Sequence, residues 1–273
     1  MYLENVLFKG RYPSMPIVSP SYPRHAHEAP ARPSARPLGR RICDSAFVLQ
    51  KGDVTVRIAH TSHDHHLAEA LVKERYTWRG YQLTPHVHHP QRKTFLASSG
   101  DQLLGTLSIL LDSNTGLVAD GLFKPELDRY RKLGHRVCEL GKLAISRAGN
   151  SHGVATALFN MAYLYGRIVH HVSDTFIEVN PRHVSFYRRQ LGFDVIAKGR
   201  HCPRVNAPAI LMHLDVAHAD RQISQLATSG CSDKKTGARS PYSSFLTREQ
   251  EESLIEASLE PTEAEAGSQF AFA

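Results

Sequence analysis

Val54, Val56 and Ile58 alternate with Thr55 and Arg57 in VTVRIAH (54–60), the period-two pattern of a strand with one buried face. In DHHLAEALVKERY, Leu67, Ala70, Leu71 and Glu74 recur at helical spacing and predict a helix presenting that face. KTFLAS and QLLGTLSILLD flank Ser-Gly-Asp and read as a hairpin. An insertion with a helical stretch, FKPELDRYRKLG, leads to a strand over 137–145, VCELGKLAI. The mostly apolar GVATALFNMAYLYGRIVHH predicts a long helix, DTFIEVN a strand, PRHVSFYRRQLG a helix broken at Leu-Gly-Phe, and FDVIAKG and PAILMHLDV the last strands. The pattern is strand–helix, an antiparallel run of three strands, then helix–strand–helix–strand–strand, without internal repeats. This is an α/β (α+β) class built on a central mixed sheet.

Outside this region the pattern changes. Residues 1–42 are rich in Pro, Arg, Ala and His, a composition that opposes both helix and ladder pairing and predicts a disordered arm. After the domain at 43–216, residues 217–273 read as a C-terminal linker and acidic helix. HADRQISQLA has helical character, TSGCSDKKTGARSPYSS is linker-like, and Thr247 and Gln250 have capping-box spacing in LTREQEESLIEASLE.

The formal charge of +7 is unevenly spread: net +5 over 1–42 (seven basic, two acidic), +6 over 43–216 (twenty-one against fifteen) and −4 over 217–273 (five against nine). A basic domain selects acidic partners: nucleic acid, anionic membrane or an acidic protein. The four cysteines, Cys43, Cys138, Cys202 and Cys231, show no C-x-x-C spacing, which argues against a zinc ribbon or a redox pair and for a reducing compartment. No secretory leader and no transmembrane-length apolar run is present, so the expectation is a cytoplasmic protein.

The order of elements, and above all VNPRHVSFYRRQLGFDVI (179–196), resembles the GNAT acyltransferase fold, whose closing motif runs from an Asn or Pro at a strand end through a tyrosine-bearing helix to Gly-Phe. The resemblance covers about 54–216 and implies a sheet splayed between its fourth strand (137–145) and fifth strand (174–180), with the acyl thioester in the cleft. RYTWRGY (75–81), CELGKLAI and the long segment between the third and fourth strands are most similar to long-chain N-acyl amino acid synthases, relatives of the acyl-homoserine-lactone synthases. The resemblance thus implies transfer of a long-chain acyl group from an acyl carrier protein to the α-amine of an amino acid. It implies no metal and no cofactor beyond the acyl-thioester co-substrate, acyl carrier protein or CoA. RAGNSHGVA departs from the compact pyrophosphate loop of acetyl-CoA-using relatives, with Arg147, Gly149 and Gly153 set wider. Such a loop suits the single phosphate of a phosphopantetheine arm, the alternative being a plain helix entry.

Acyl transfer to an amine needs a base, because an α-amine of pKa about 8 is mostly protonated near neutrality. It also needs donors for the oxyanion and an acid for the leaving thiolate. Glu139 is the candidate base; the alternative is a solvent-facing or structurally paired carboxylate. Alternation places Glu139, Gly141 and Leu143 on one side, with Gly141 leaving room for substrate. Tyr187 is the acid that the resemblance implies, the alternative being a tyrosine packed on the sheet. His183, four residues earlier, is either a proton shuttle or a capping histidine. Arg75 and Arg79, beside Trp78 and Tyr81, suit a carboxylate-bearing acceptor, with Lys142 a further candidate; a solvated helix end is the alternative. Leu104, Leu107, Ile109, Phe159 and Met161 line an acyl tunnel or belong to the core. Arg188, Arg189, Lys198, Arg200 and Arg204 cluster around the last helix and strands, where an acidic acyl carrier protein would dock, or form a solvated face.

Three rivals remain. A basic nucleic-acid-binding module lacks support from interleaved aromatics or a recognition motif. A metal protein using HDHH (63–66) and HVHH (86–89) lacks helical His-x-x-x-His spacing and a placed carboxylate or cysteine. Within acyl transfer, a homoserine-lactone-type signal synthase or an acyl-CoA-dependent enzyme stays open, as do the acceptor's identity, the acyl length and the oligomeric state.

Overall fold

The computed structural model describes residues 41–77, 81, 89–148, 150–229 and 240–260. The strands are β1 (Leu49–Lys51), β2 (Val54–Ile58), β3 (Arg92–Ser99), β4 (Gln102–Leu111), β5 (Val137–Ile145), β6 (Asp174–Val179), β7 (Asp194–Val195), β8 (Arg200–Cys202) and β9 (Ala207–Asp215). The helices are α1 (Ser62–Thr77), α2 (Asp120–Lys132), α3 (Ser151–Leu164), α4 (Val184–Leu191), α5 (Val216–Ser229) and α6 (Arg248–Ala257). One sheet runs β1-β2-β3-β4-β5-β6-β9-β7, with β8 also on β9; β5 and β6 are parallel and the other pairs antiparallel.

Helices cover both faces. On one, α3 and α5 close the larger core around Phe47, Phe95, Leu158 and Met212. On the other, α2 packs Phe123 and Leu127 against Val137, Phe176 and Leu211, while α1 packs Leu71 and Val72 on Ala144. Helix α3 lies close on β4 because Gly105 has no side chain. A Cβ there would meet Val154 Cγ1 at 2.8 Å and Leu158 Cδ1 at 3.1 Å.

The buried face of α1 differs from the sequence expectation. Asp64 accepts from both Arg57 guanidinium nitrogens at 2.9 and 2.6 Å and from the backbone N–H groups of His60 and Thr61. Thr61 Oγ1 in turn accepts from Asp64 N–H, so the pair caps the helix reciprocally. This anchor to β2 sets the helix rotation. Asp64, Ala68, Leu71, Val72 and Arg75 face inward, whereas Leu67, Ala70 and Glu74 are exposed.

β5 carries a bulge that period-two reasoning misses. Opposite Thr106–Ser108 on β4, β5 spends the extra residue between Gly141 and Ala144, and Lys142 takes φ +54°. The extra residue reverses the alternation. Leu140 and Leu143 both pack toward the α3 core, while Val137 and Ala144 face the α1–α2 side. Leu143 therefore does not share a side with Glu139.

The segment read as a linker packs in its described part. Tyr242, Phe245 and Leu246 are buried in the α3–α5 core, and a short 3₁₀ turn spans Pro241–Ser244. Thr247 and Gln250 form the capping box of α6. At the other end of the described chain, Ile42 bridges Leu259 and Cys43 N–H donates to Ser258 O. Residues 1–40 of the expected arm, and Cys231, lie outside the described residues.

Candidate active site

β5 and β6 pair only from Val137↔Asp174 to Leu140↔Ile177. Beyond that rung β5 turns through its bulge and stays with β4, while Glu178 and Val179 stay with β9. A cavity of about 920 Å³ opens at this separation, walled by α1, β4, β5, the end of β6, α4 and the β8–β9 turn. The volume is in the range of small-molecule sites.

Glu139 sits on the cavity wall one residue before the last paired rung and is 8% exposed. Its Oε2 accepts the Ala119 N–H at 2.9 Å. Burial pushes its carboxyl up to about 7, with the Glu178 carboxylate adding to the shift and the Ala119 N–H, Arg204 and Arg92 opposing it. A carboxyl so placed exchanges a proton near neutral pH. Tyr187 reaches the cavity from α4, its ring edge-on to Phe159 at 6.2 Å and to Phe193 at 5.8 Å. Burial raises its phenol, which stays protonated at any working pH. Lys142, at the bulge, also lines the cavity; burial, then Arg92, pushes its ammonium down to about 8.

Arg75 is buried in the α1 wall. Tyr76 and Tyr81 lie with ring centres 5.9 Å apart, and Arg182 both donates to Tyr81 Oη and covers its ring at 5.5 Å. His183 lines the cavity and its Nε2 accepts from Arg182 Nε at 3.3 Å. Trp78 and Arg79 lie outside the described residues. Of the tunnel candidates, Leu107 and Phe159 reach the cavity, whereas Leu104, Ile109 and Met161 are core.

Residues 67–215, more than half of the chain, match the profile of the family described as N-acyl amino acid synthase FeeM. The chain belongs to this family. Among solved structures it is similar to FeeM, an N-acyl amino acid synthase from uncultured soil microbes. The identity is 29%, the match covers 60% of this chain and 92% of that one, and the TM-score is 0.56. A spermidine N-acetyltransferase from Vibrio cholerae, in complex with CoA and spermine, is 15% identical, with the match covering 61% of this chain and 98% of that one at TM-score 0.44. No curated protein matches. The chain is thus a GNAT-fold acyltransferase, as its order of elements and closing motif imply, and its sheet parts between β5 and β6.

The residues expected on the donor side of this FeeM-family protein do not converge. Arg188 and Arg189 are exposed on α4, opposite the buried Phe186 and Leu191. Arg147 is exposed before α3, Gly153 donates its N–H to the Asn150 side chain that caps α3, and Gly149 lies outside the described residues. Arg200 faces another way altogether. It pairs with Glu126 at 2.5 Å, donates to Leu122 O and covers the Phe123 ring, which ties β8 to α2. Arg204 turns into the cavity instead of outward, holding Glu178 at 2.6 and 2.7 Å and Val118 O at 3.4 Å. Its contact with the 117–120 turn braces the amide that binds Glu139. Sequence reasoning also missed Arg92 and the Thr94–Ser108 hydroxyl pair (3.0 Å) on the cavity wall. Their polar positions in strands β3 and β4 were the available signal.

Proposed function

We propose that the protein moves a long-chain acyl group from the thioester of an acidic acyl carrier protein to the α-amine of an amino acid, giving an N-acyl amino acid. One observation carries this reading. A buried carboxyl that titrates near neutrality, Glu139, and a phenol that remains protonated, Tyr187, line one cleft at the separation of β5 and β6. The acceptor's carboxylate pairs with Arg75 or Lys142, and Glu139 takes the amine proton directly or through one water. The C–N bond forms as the thioester oxygen is held by backbone N–H groups on the β5 edge. Collapse breaks the C–S bond, and Tyr187 protonates the departing sulfur. His183 and solvent return the two residues to their starting states.

The donor assignment rests on charge and on the start of α3. Asn150 already occupies the Gly153 amide, which suits a donor presenting one phosphate rather than a nucleotide pyrophosphate. The exposed Arg188 and Arg189 suit an acidic carrier. The test is intact-product mass spectrometry with long-chain acyl carrier protein and a mixture of amino acids. An N-acyl amino acid is expected, lost in Glu139→Gln. Charge reversal at Arg188 and Arg189 should raise KM for the carrier about tenfold and leave KM for acyl-pantetheine unchanged. Turnover with acyl-CoA alone would overturn the carrier assignment, and silence with every donor would overturn amino-acid acylation.

A further inference from the structure

Behind the main cleft lies a second, smaller cavity of about 40 Å³, lined by α3, β5, β6, α5 and the C-terminal residues Tyr242 and Phe245. It shares Leu140 and Phe159 with the cleft, so these two side chains form a common wall. Leu140 is the last β5 residue paired to β6, and the Phe159 ring leans edge-on against Tyr187. The wall therefore stands where the strands part, beside the candidate acid.

The small cavity is chemically apolar although tyrosines and an arginine contribute to it. Tyr163 donates its hydroxyl to Asp220, Arg167 pairs with Asp220 at 2.8 Å, Tyr242 Oη donates to Leu191 O at 2.8 Å, and Thr175 meets Cys138 Sγ at 3.5 Å. The polar tips are engaged and the apolar bodies line the space, the condition under which a cavity stays dry and takes up hydrocarbon. Its volume is about three times the 10–15 Å³ that one water-sized sphere takes up, room for the end of an alkyl chain. Tyr242 and Phe245 lie beyond the residues 67–215 that match the family profile.

We propose that this cavity is the blind end of the acyl channel, with Leu140 and Phe159 as its door and the Tyr242–Phe245 segment as the stop that sets chain length. The inference rests on the acyl-transfer reading above. An acyl tail entering from the thioester passes between the separated strands, displaces the Phe159 ring and ends against Phe245. The C-terminal segment is then a specificity determinant as well as a packing element.

The test uses the full chain with a series of saturated acyl donors of increasing length, comparing wild type with Phe245→Leu, which shortens the stop, and Ala219→Val, which fills the cavity. Products are quantified by mass spectrometry, and thermal stabilisation by free fatty acids of the same lengths is measured in parallel. Phe245→Leu should move the preferred length up, and Ala219→Val should move it down, with a loss of about fourfold for each methylene excluded. General destabilisation lowers all lengths together and does not move the optimum. An unchanged profile in both variants would overturn the proposal. If no donor is turned over, the acyl-transfer reading fails, while the fatty-acid series still decides the channel: opposed shifts support it and a flat response overturns it.

Discussion

Glu139 and Lys142 stand three positions apart on one strand, yet burial moves their proton affinities toward each other, to about 7 and about 8. In the proposed reaction Glu139 acts as base only when ionised, and Lys142 would hold the acceptor's carboxylate only when protonated. kcat/KM for the amino acid should therefore rise through about pH 7 and fall beyond about pH 8, with the amine's own deprotonation added to the rising limb. Glu139→Gln should lower kcat by about 10²–10⁴ and remove the carboxyl's part of the acidic limb. Lys142→Met should remove the alkaline limb and raise KM more than it lowers kcat; a pH series of initial rates with both variants separates the roles. The two residues were legible in sequence as polar positions on a strand beside a glycine. Their proton affinities were not, because these depend on Arg92, Glu178 and Arg204, brought in from other strands and loops.

Elements were legible where a periodic pattern ran long enough. The strand over Val137–Ile145 has the expected bounds, and the capping box at Thr247 and Gln250 is formed. β1 and β8, with three residues each, are too short to show a period. The bulge at Lys142 was hidden for another reason: one inserted residue leaves composition unchanged and only its partner strand reveals the shift. The close approach of α3 to β4 at Gly105 is likewise a property of two elements. Gly105→Ala should push α3 off β4 and cost about 1–3 kcal/mol in chemical denaturation, since the nearest obstacles are branched core side chains in contact with one another. Because α3 carries Phe159, the same variant should also weaken acyl-donor binding.

At the scale of the whole molecule, the C-terminal helix α6 closes on the α3–α5 side of the sheet through a charged cluster. Glu251 of α6 lies 3.4 Å from Arg167, which also holds Asp220 of α5. Glu251 is 8% exposed, and burial pushes its carboxyl up to about 7, with Asp220 and Glu252 adding and Arg167 opposing. A carboxyl whose folded pKa stands above its ordinary value near 4.5 favours folding in its protonated form. Its contribution is complete below about pH 4.5 and is lost as pH rises through about 7. Glu251→Gln mimics the protonated state at every pH. The variant should melt close to wild type at pH 4.5 and a few degrees above it at pH 8, at about 2–4 °C per kcal/mol for a chain of this size. Glu139 titrates over the same range but is common to both proteins, so the difference in Tm isolates Glu251. A difference that does not grow between pH 4.5 and 8 would mean that Arg167 offsets burial and keeps Glu251 ionised throughout, making the cluster a pH-independent clasp between the C-terminal helix and the α3–α5 core.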